Sequence, residues 1–88
     1  MMYEIKMYND DIHIVDLEHN PLIASRLPLE VAQDIFDQSY TIFSYNVRNV
    51  EGKNDIVFIR TKDIRECSVL DVDDETLQKM RELLNEHT

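Results

Sequence analysis

The fifteen residues from Ile56 to Leu70 constrain the fold more than any other part of the chain. They open with its densest β-branched and aromatic run, Ile56-Val57-Phe58-Ile59, and a second strand-like run follows Thr61-Lys62-Asp63. Such side chains favour extended backbone because they pack well on a pleated surface. We therefore predict two central strands, joined by a turn at Thr61-Lys62-Asp63, over which the other elements are laid.

Alternating apolar and polar residues predict further strands. Tyr3, Ile5 and Met7 alternate with more polar neighbours, which is the period of a strand with one buried face. Residues 12–17 form the second arm of a hairpin, and a shift of their apolar phase predicts a β-bulge. Residues 40–50 predict a long strand, and Gly52 suits the hairpin turn that follows it. Residues 22–24 fit either a short strand or the approach to a helix, and we favour the strand.

Two helices are predicted. Pro28 suits a first helical turn, and apolar residues recur at helical spacing to Asp37. Asp73 fits a helix N-cap, which predicts a second helix from Asp74 to Glu86. The predicted fold class is α+β, a single domain over residues 1–88 with an antiparallel sheet of about five strands and two helices, the second C-terminal.

Charge restricts the choice of partner. The chain carries a formal net charge of −9, and residues 48–66 are its only segment without a negative excess. Such a field repels nucleic acid unless the central bases gather on one face. The acids either form a partner-binding surface or only keep the protein soluble. The lone Cys67 and the lack of a long apolar segment favour a cytoplasmic protein, with Cys67 as a small core residue.

Residues suited to catalysis or metal binding are not arranged for either. The acidic run at residues 71–75 lacks the ligand spacing and glycine of a calcium loop, and helix capping explains it. His19 lies in a turn, His87 near the end of the chain and His13 on the polar face of a strand, without metal-ligand spacing. We therefore expect no catalytic residue, cofactor or metal, and hence no enzyme.

A basic and aromatic surface is the alternative to the acidic one. The hairpin over residues 48–65 carries bases and aromatics of the kind that hold single-stranded nucleic acid. Its bases are Arg48, Arg60 and Lys62, and the candidate aromatics are Tyr40, Phe43, Tyr45 and Phe58. We favour the other interpretation, in which these aromatics are core residues and the bases are hairpin surface, because the rest of the chain is strongly negative.

The opening strand at residues 2–8 and the runs at residues 56–59 and 63–67 give the chain a family likeness. In these segments it resembles the small uncharacterised accessory proteins of Gram-positive phages and prophages. The resemblance implies a protein that binds and modulates a host or rival protein, including inhibitors that imitate the charge of DNA. It assigns no functional residue.

The leading hypothesis is a small acidic regulator or inhibitor that binds a partner protein. In its charge-mimicry version, that partner is a protein that processes nucleic acid. The competing hypothesis is a nucleic-acid-binding module that uses the 48–65 hairpin. A homodimer is a further expectation, because an open sheet in a short chain leaves edges to cover. The candidate partner-binding acids are Glu30, Asp34, Asp37, Asp71, Asp74 and Glu75.

Overall fold

The computed structural model describes residues 1–86, and over that range the chain forms five strands and three helices. The strands are β1 (Met2–Met7), β2 (Ile12–Asp16), β3 (Ile42–Arg48), β4 (Asn54–Arg60) and β5 (Ile64–Leu70). The helices are α1 (Pro21–Ala24), α2 (Pro28–Phe36) and α3 (Asp74–Glu86), and short 3-10 turns occupy Leu17–His19 and Thr61–Asp63. Antiparallel sheets with a C-terminal helix confirm the α+β class.

The first sheet is built on β1. Strand order is β2-β1-β5, and both pairings are antiparallel. The predicted alternation in β1 is confirmed, because Tyr3, Ile5 and Met7 are all buried. These apolar side chains are removed from water on one face of the sheet, so this face forms one side of the core.

The second sheet is the β3–β4 hairpin, whose turn contains Gly52 at a φ of 77°. Glycine adopts this left-handed backbone without a Cβ clash. Phe43, Tyr45 and Ile59 point inward and are buried. One hydrophobic core thus joins the hairpin, the three-stranded sheet and α2.

The prediction that β4 and β5 are central strands is wrong. β4 pairs with β3 and β5 pairs with β1, so each is the edge strand of a different sheet. Thr61 separates them: it is 4% exposed, its hydroxyl donates to the Tyr40 carbonyl over 2.6 Å, and its amide donates to Thr41 over 3.1 Å. These bonds hold the chain in a 3-10 turn, which redirects it into the first sheet.

Two local predictions are corrected. Residues 22–24 belong to α1 instead of a strand, because Pro21 opens a helical turn in which the Ala24 amide donates to Asn20. The β1–β2 register is regular, so no bulge lies there. Val15 and Leu17 share the buried phase, and the apparent phase change arises because Ile12 and Ile14 are apolar but exposed on the other face. The register shifts instead between Lys6 and Met7, opposite β5.

Both predicted helices are confirmed, with different roles. α2 buries Pro28, Val31 and Ile35, while Phe36 at its end is exposed. α3 contributes no buried residue. The molecule measures 44 × 26 × 20 Å, and its radius of gyration of 13.5 Å exceeds the roughly 12 Å expected of a compact chain of this length.

Candidate binding surface

The outer face of the β3–β4 hairpin is the candidate site. Strand side chains alternate between faces, so the burial of Phe43, Tyr45 and Ile59 directs the even-numbered residues of the hairpin outward. Two of these outward residues are arginines and none is an acid. The outer face consists of Ile42, Ser44, Asn46 and Arg48 from β3 and Asn54, Ile56, Phe58 and Arg60 from β4.

Three apolar side chains on the outer face are open to solvent. Ile42 is 55% exposed, Ile56 is 60% and Phe58 is 69%. Ile56 and Phe58 are successive outward residues of β4, and Ile42 lies diagonal to Phe58, within reach of a large side chain. Clustered exposed apolar side chains of this kind mark interaction sites more often than isolated ones do.

A groove beside β3 extends the outer face. Two depressions of about 320 and 380 Å³ lie between α1 and β3, and Ile23 and Ser44 line both of them. Leu22 lines both depressions and is itself 85% exposed. The apolar surface therefore continues from the hairpin onto α1.

Asn20 fixes α1 against β3. Its side-chain amide donates to the Asn46 carbonyl over 3.0 Å, and its side-chain oxygen accepts from the Asn46 amide over 2.7 Å. It also donates to the Asp16 carbonyl over 2.7 Å and is 3% exposed. One buried side chain thereby takes the place of a neighbouring strand at this point of the β3 edge.

The predicted basic and aromatic surface is only partly present. Phe43 and Tyr45 belong to the core, so Phe58 is the one candidate aromatic on the outer face. Arg48 and Arg60 lie at opposite corners of the face and form no ion pair among residues 1–86. The remaining candidates, Lys62 and Tyr40, lie outside the hairpin strands, Lys62 in the 3-10 turn after β4 and Tyr40 before β3.

The predicted acids of α2 differ in their surroundings. Asp34 pairs with Arg26, a contact that raises the pKa of the arginine, and the Tyr40 hydroxyl lies 3.4 Å from the same carboxylate. Glu30 and Asp37 are exposed and form no ion pair in the described chain. Two carboxylates on α2 thus remain open to a partner.

The acids around the start of α3 form a second group. Asp73 accepts from the Thr76 amide over 2.7 Å, which confirms the N-cap and lowers the pKa of its carboxyl. Glu75 pairs with Lys79 over 3.3 Å, and Asp71 and Asp74 are exposed. This group follows the end of β5. α2 instead contacts the 3-10 turn Thr61–Asp63, which precedes β5, and the two ends of β5 are about 20 Å apart along the strand. The structure therefore does not gather the predicted acids into one patch.

The histidines and Cys67 have structural surroundings. His13 lies on the core side of β2, which corrects its assignment to the polar face, and its Nδ1 is 2.8 Å from the Tyr45 hydroxyl. His19 Nδ1 is 2.9 Å from Asp16, and His87 lies outside the described residues. Cys67 is half-buried, and burial raises the pKa of its thiol to about 11, so the thiol stays protonated at neutral pH. No group of three possible metal ligands occurs within residues 1–86.

Comparison with known proteins adds no relative. No protein-family model, curated protein or solved structure matches the chain. In the part that the structure describes, no helix has the length and hydrophobicity to cross a membrane.

The sequence did not identify the apolar part of the outer face. Ile56 and Phe58 were visible as strand residues, but β4 is apolar on both faces over residues 56–59. Such a run is typical of a strand covered on both sides. Only the packed structure shows which side stays uncovered.

Proposed function

We propose that this protein is a small, non-enzymatic regulator or inhibitor that binds a partner protein through the outer face of the β3–β4 hairpin. The observation that carries the proposal is an acid-free, partly apolar face on a chain with a net charge of −9. The phage resemblance supports a modulator of a host or rival protein, and the lone Cys67 supports a reducing compartment such as the cytoplasm.

The composition of the outer face favours protein as the ligand. Interfaces combine an apolar centre with a polar rim and are enriched in aromatic residues and arginine. Ile42, Ile56 and Phe58 supply the centre, and Arg48 and Arg60 supply cations at the rim. Ser44 and Asn46 lie across from Phe58 and Ile56 and add hydrogen-bonding groups to the same face.

The surroundings of Cys67 do not activate it as a nucleophile. Nucleophilic catalysis by cysteine requires the thiolate. Burial raises the pKa of Cys67 to about 11, and a protonated thiol is a weak nucleophile.

Charge mimicry by the α2 acids is the second candidate. Glu30 and Asp37 are exposed without ion pairs among the described residues, so their charge is available to a basic cleft. In this version the protein inhibits a nucleic-acid-processing protein by presenting carboxylates in place of phosphates. Binding would then be fast and would weaken steeply with salt.

A nucleic-acid-binding hairpin is supported less well. Phe58 offers one stacking platform between Arg48 and Arg60, but the other strand aromatics are buried. Stacking on successive bases and a continuous basic groove are what single-strand binding uses. Retention of a random oligonucleotide at physiological salt would nevertheless place this alternative first.

The test begins with identification of the partner. The native protein is immobilised, bound protein is identified by mass spectrometry, and the purified partner is titrated against variants. The double variant Ile56→Ser/Phe58→Ser should lose about tenfold or more in affinity, as central interface residues do. The control is Leu84→Ser, which removes a 50% exposed apolar side chain from α3 and should leave affinity unchanged.

A second pair of variants separates the two candidates. Glu30→Gln/Asp37→Asn removes two exposed charges from α2, and Glu82→Gln/Glu86→Gln removes two from α3. If the hairpin is the site, both pairs change affinity equally and modestly. If the α2 pair alone abolishes binding and flattens its salt dependence while Ile56→Ser/Phe58→Ser binds normally, charge mimicry replaces the hairpin.

A further inference from the structure

The hydrogen-bond phase of the hairpin can be read from three contacts. The Thr61 amide donates to Thr41 over 3.1 Å, and the Asn49 amide donates to Lys53 over 2.8 Å. Both contacts continue the ladder with odd-numbered pairs, one beyond each end. Asn46, an even residue, instead directs both of its backbone groups to Asn20, away from β4.

Antiparallel ladders alternate hydrogen-bonded and non-hydrogen-bonded pairs. The odd residues Val57 and Ile59 therefore bond to β3, while Ile56, Phe58 and Arg60 direct their amides and carbonyls to the free edge of β4. These edge groups have no hydrogen-bond partner within residues 1–86. Unpaired backbone groups on a strand edge are a template for another strand.

The β4 edge borders an acidic cleft. A cavity of about 520 Å³ separates Phe58 and Arg60 from the turn between β1 and β2 and from the 3-10 turn before β5. Its far wall includes the exposed Asp11 and Asp63 together with His13. The cleft therefore combines a backbone template with two carboxylates.

Building on the proposed function, we propose that the β4 edge captures an extended segment of the partner by strand addition, and that this segment alternates apolar and basic residues. Side chains of an added strand point alternately to its two faces. One set lies beside Ile56 and Phe58 on the outer face, which suits apolar residues. The other set points into the cleft toward Asp11 and Asp63, which suits lysine or arginine.

A second copy of the chain fits this edge less well. In a β4-to-β4 pairing, the cleft-side residues of the second copy's β4 are Asp55, Val57 and Ile59. Ile59 and Val57 stay packed against that copy's own core, and Asp55 is a further acid, so no cation is placed beside Asp11 and Asp63. Each copy also carries a charge of −9. A basic strand supplies the cations for Asp11 and Asp63 that a second copy lacks.

The probe is a synthetic nine-residue peptide of alternating valine and lysine, capped at both ends, titrated into the ¹⁵N-labelled protein. The control peptide has proline at two adjacent central positions and the same number of lysines, so it retains the charge but lacks one central donor on each edge. The alternating peptide should slow hydrogen exchange at the Phe58 and Arg60 amides. The Val57 and Ile59 amides already bond to β3 and should change little.

Variants of the protein test the edge itself. Phe58→Pro removes the outward donor and leaves the β3 ladder intact, whereas Phe58→Ala keeps that donor. Phe58→Pro should weaken peptide binding about tenfold relative to Phe58→Ala, and Leu84→Ser on α3, away from the hairpin, should have no effect. If Phe58→Pro does not fold, N-methylphenylalanine at position 58 in chemically synthesised protein tests the same donor.

Asp11→Asn/Asp63→Asn should reduce both the affinity for the peptide and its salt dependence more than Glu82→Gln/Glu86→Gln does. The proposal is overturned if both peptides bind equally, if the edge amides are not protected, or if protection of the edge depends on protein concentration without peptide, which would reveal a second copy. If the natural partner still requires Ile56 and Phe58 when the peptide fails, only strand addition is lost and the proposed function stands.

Discussion

At the scale of single residues, the buried Asn20 side chain bonds three backbone groups on two other segments. Replacing it by alanine leaves the amide and carbonyl of Asn46 and the carbonyl of Asp16 without their present partner. Because buried groups that lose hydrogen bonds are costly, Asn20→Ala should lower the free energy of unfolding by roughly 2 kcal/mol. Urea denaturation measures the change. The matched control is Asn46→Ala, which removes an exposed side chain while keeping the backbone that Asn20 binds, and should have little effect.

Two buried tyrosines provide an opposed pair of predictions. The Tyr3 side chain is 1% exposed, its hydroxyl has no hydrogen-bond partner among the described residues, and burial raises its pKa to about 12. The Tyr45 hydroxyl, by contrast, lies 2.8 Å from His13 Nδ1. Tyr3→Phe should therefore be neutral or stabilising, while Tyr45→Phe should cost about 1 kcal/mol. Thermal unfolding of both variants decides, and destabilisation by Tyr3→Phe would reveal an unrecognised partner of its hydroxyl.

At the scale of elements, α3 depends on its cap more than on the core. Asp73→Ala should lower the helical ellipticity and expose the Thr76 and Leu77 amides to exchange, because α3 has no buried residue to hold it. Asp73→Asn should retain most of the helix, since asparagine also caps. Full protection in Asp73→Ala would contradict the role of the cap.

The cap also gives α3 a pH dependence. Donation by the Thr76 amide lowers the pKa of Asp73 in the folded state. Its stabilisation is therefore complete above the pKa of the unfolded chain, near 4, and is lost as the pH falls through the lower folded value. Exchange at Thr76 should accelerate over that acidic window after correction for intrinsic rates.

Local signals predicted most of the elements. The alternation in β1, the glycine of the hairpin turn and the N-cap at Asp73 each act within a few residues, so sequence alone located them. The split between β4 and β5 could not be predicted, because it depends on the burial of Thr61 and its bonds to residues about twenty positions earlier. The four residues of α1 are too few to show a period.

The same limit applies to the candidate sites. The acids were visible as charges, but their separation at the two ends of β5 is a property of the fold. The apolar part of the outer face lies in residues 56–59, where no polar residue occurs, so no alternation showed which side chains point outward. The open edge of β4 could not be predicted without knowing that β4 pairs with β3 alone.

At the scale of the whole molecule, the outer face of the hairpin is an acid-free surface on an acidic chain. It presents exposed apolar side chains, whereas acids lie on the other strands, on α2 and α3, at the turns and in the inward phase of β4. In the proposed function, the surrounding negative field would speed the approach of a basic partner, and the apolar face would then hold it. We therefore propose that the hairpin supplies the affinity and the acids raise the rate of encounter.

The most direct test of this assignment is a hydrogen-exchange footprint of the complex with the purified partner. The account predicts slowed exchange in residues 54–60, with the largest change at Phe58 and Arg60, and little change in α2 and α3. Protection concentrated in residues 28–37 or 71–86, with residues 54–60 unchanged, would contradict it and make the acidic surface the binding site.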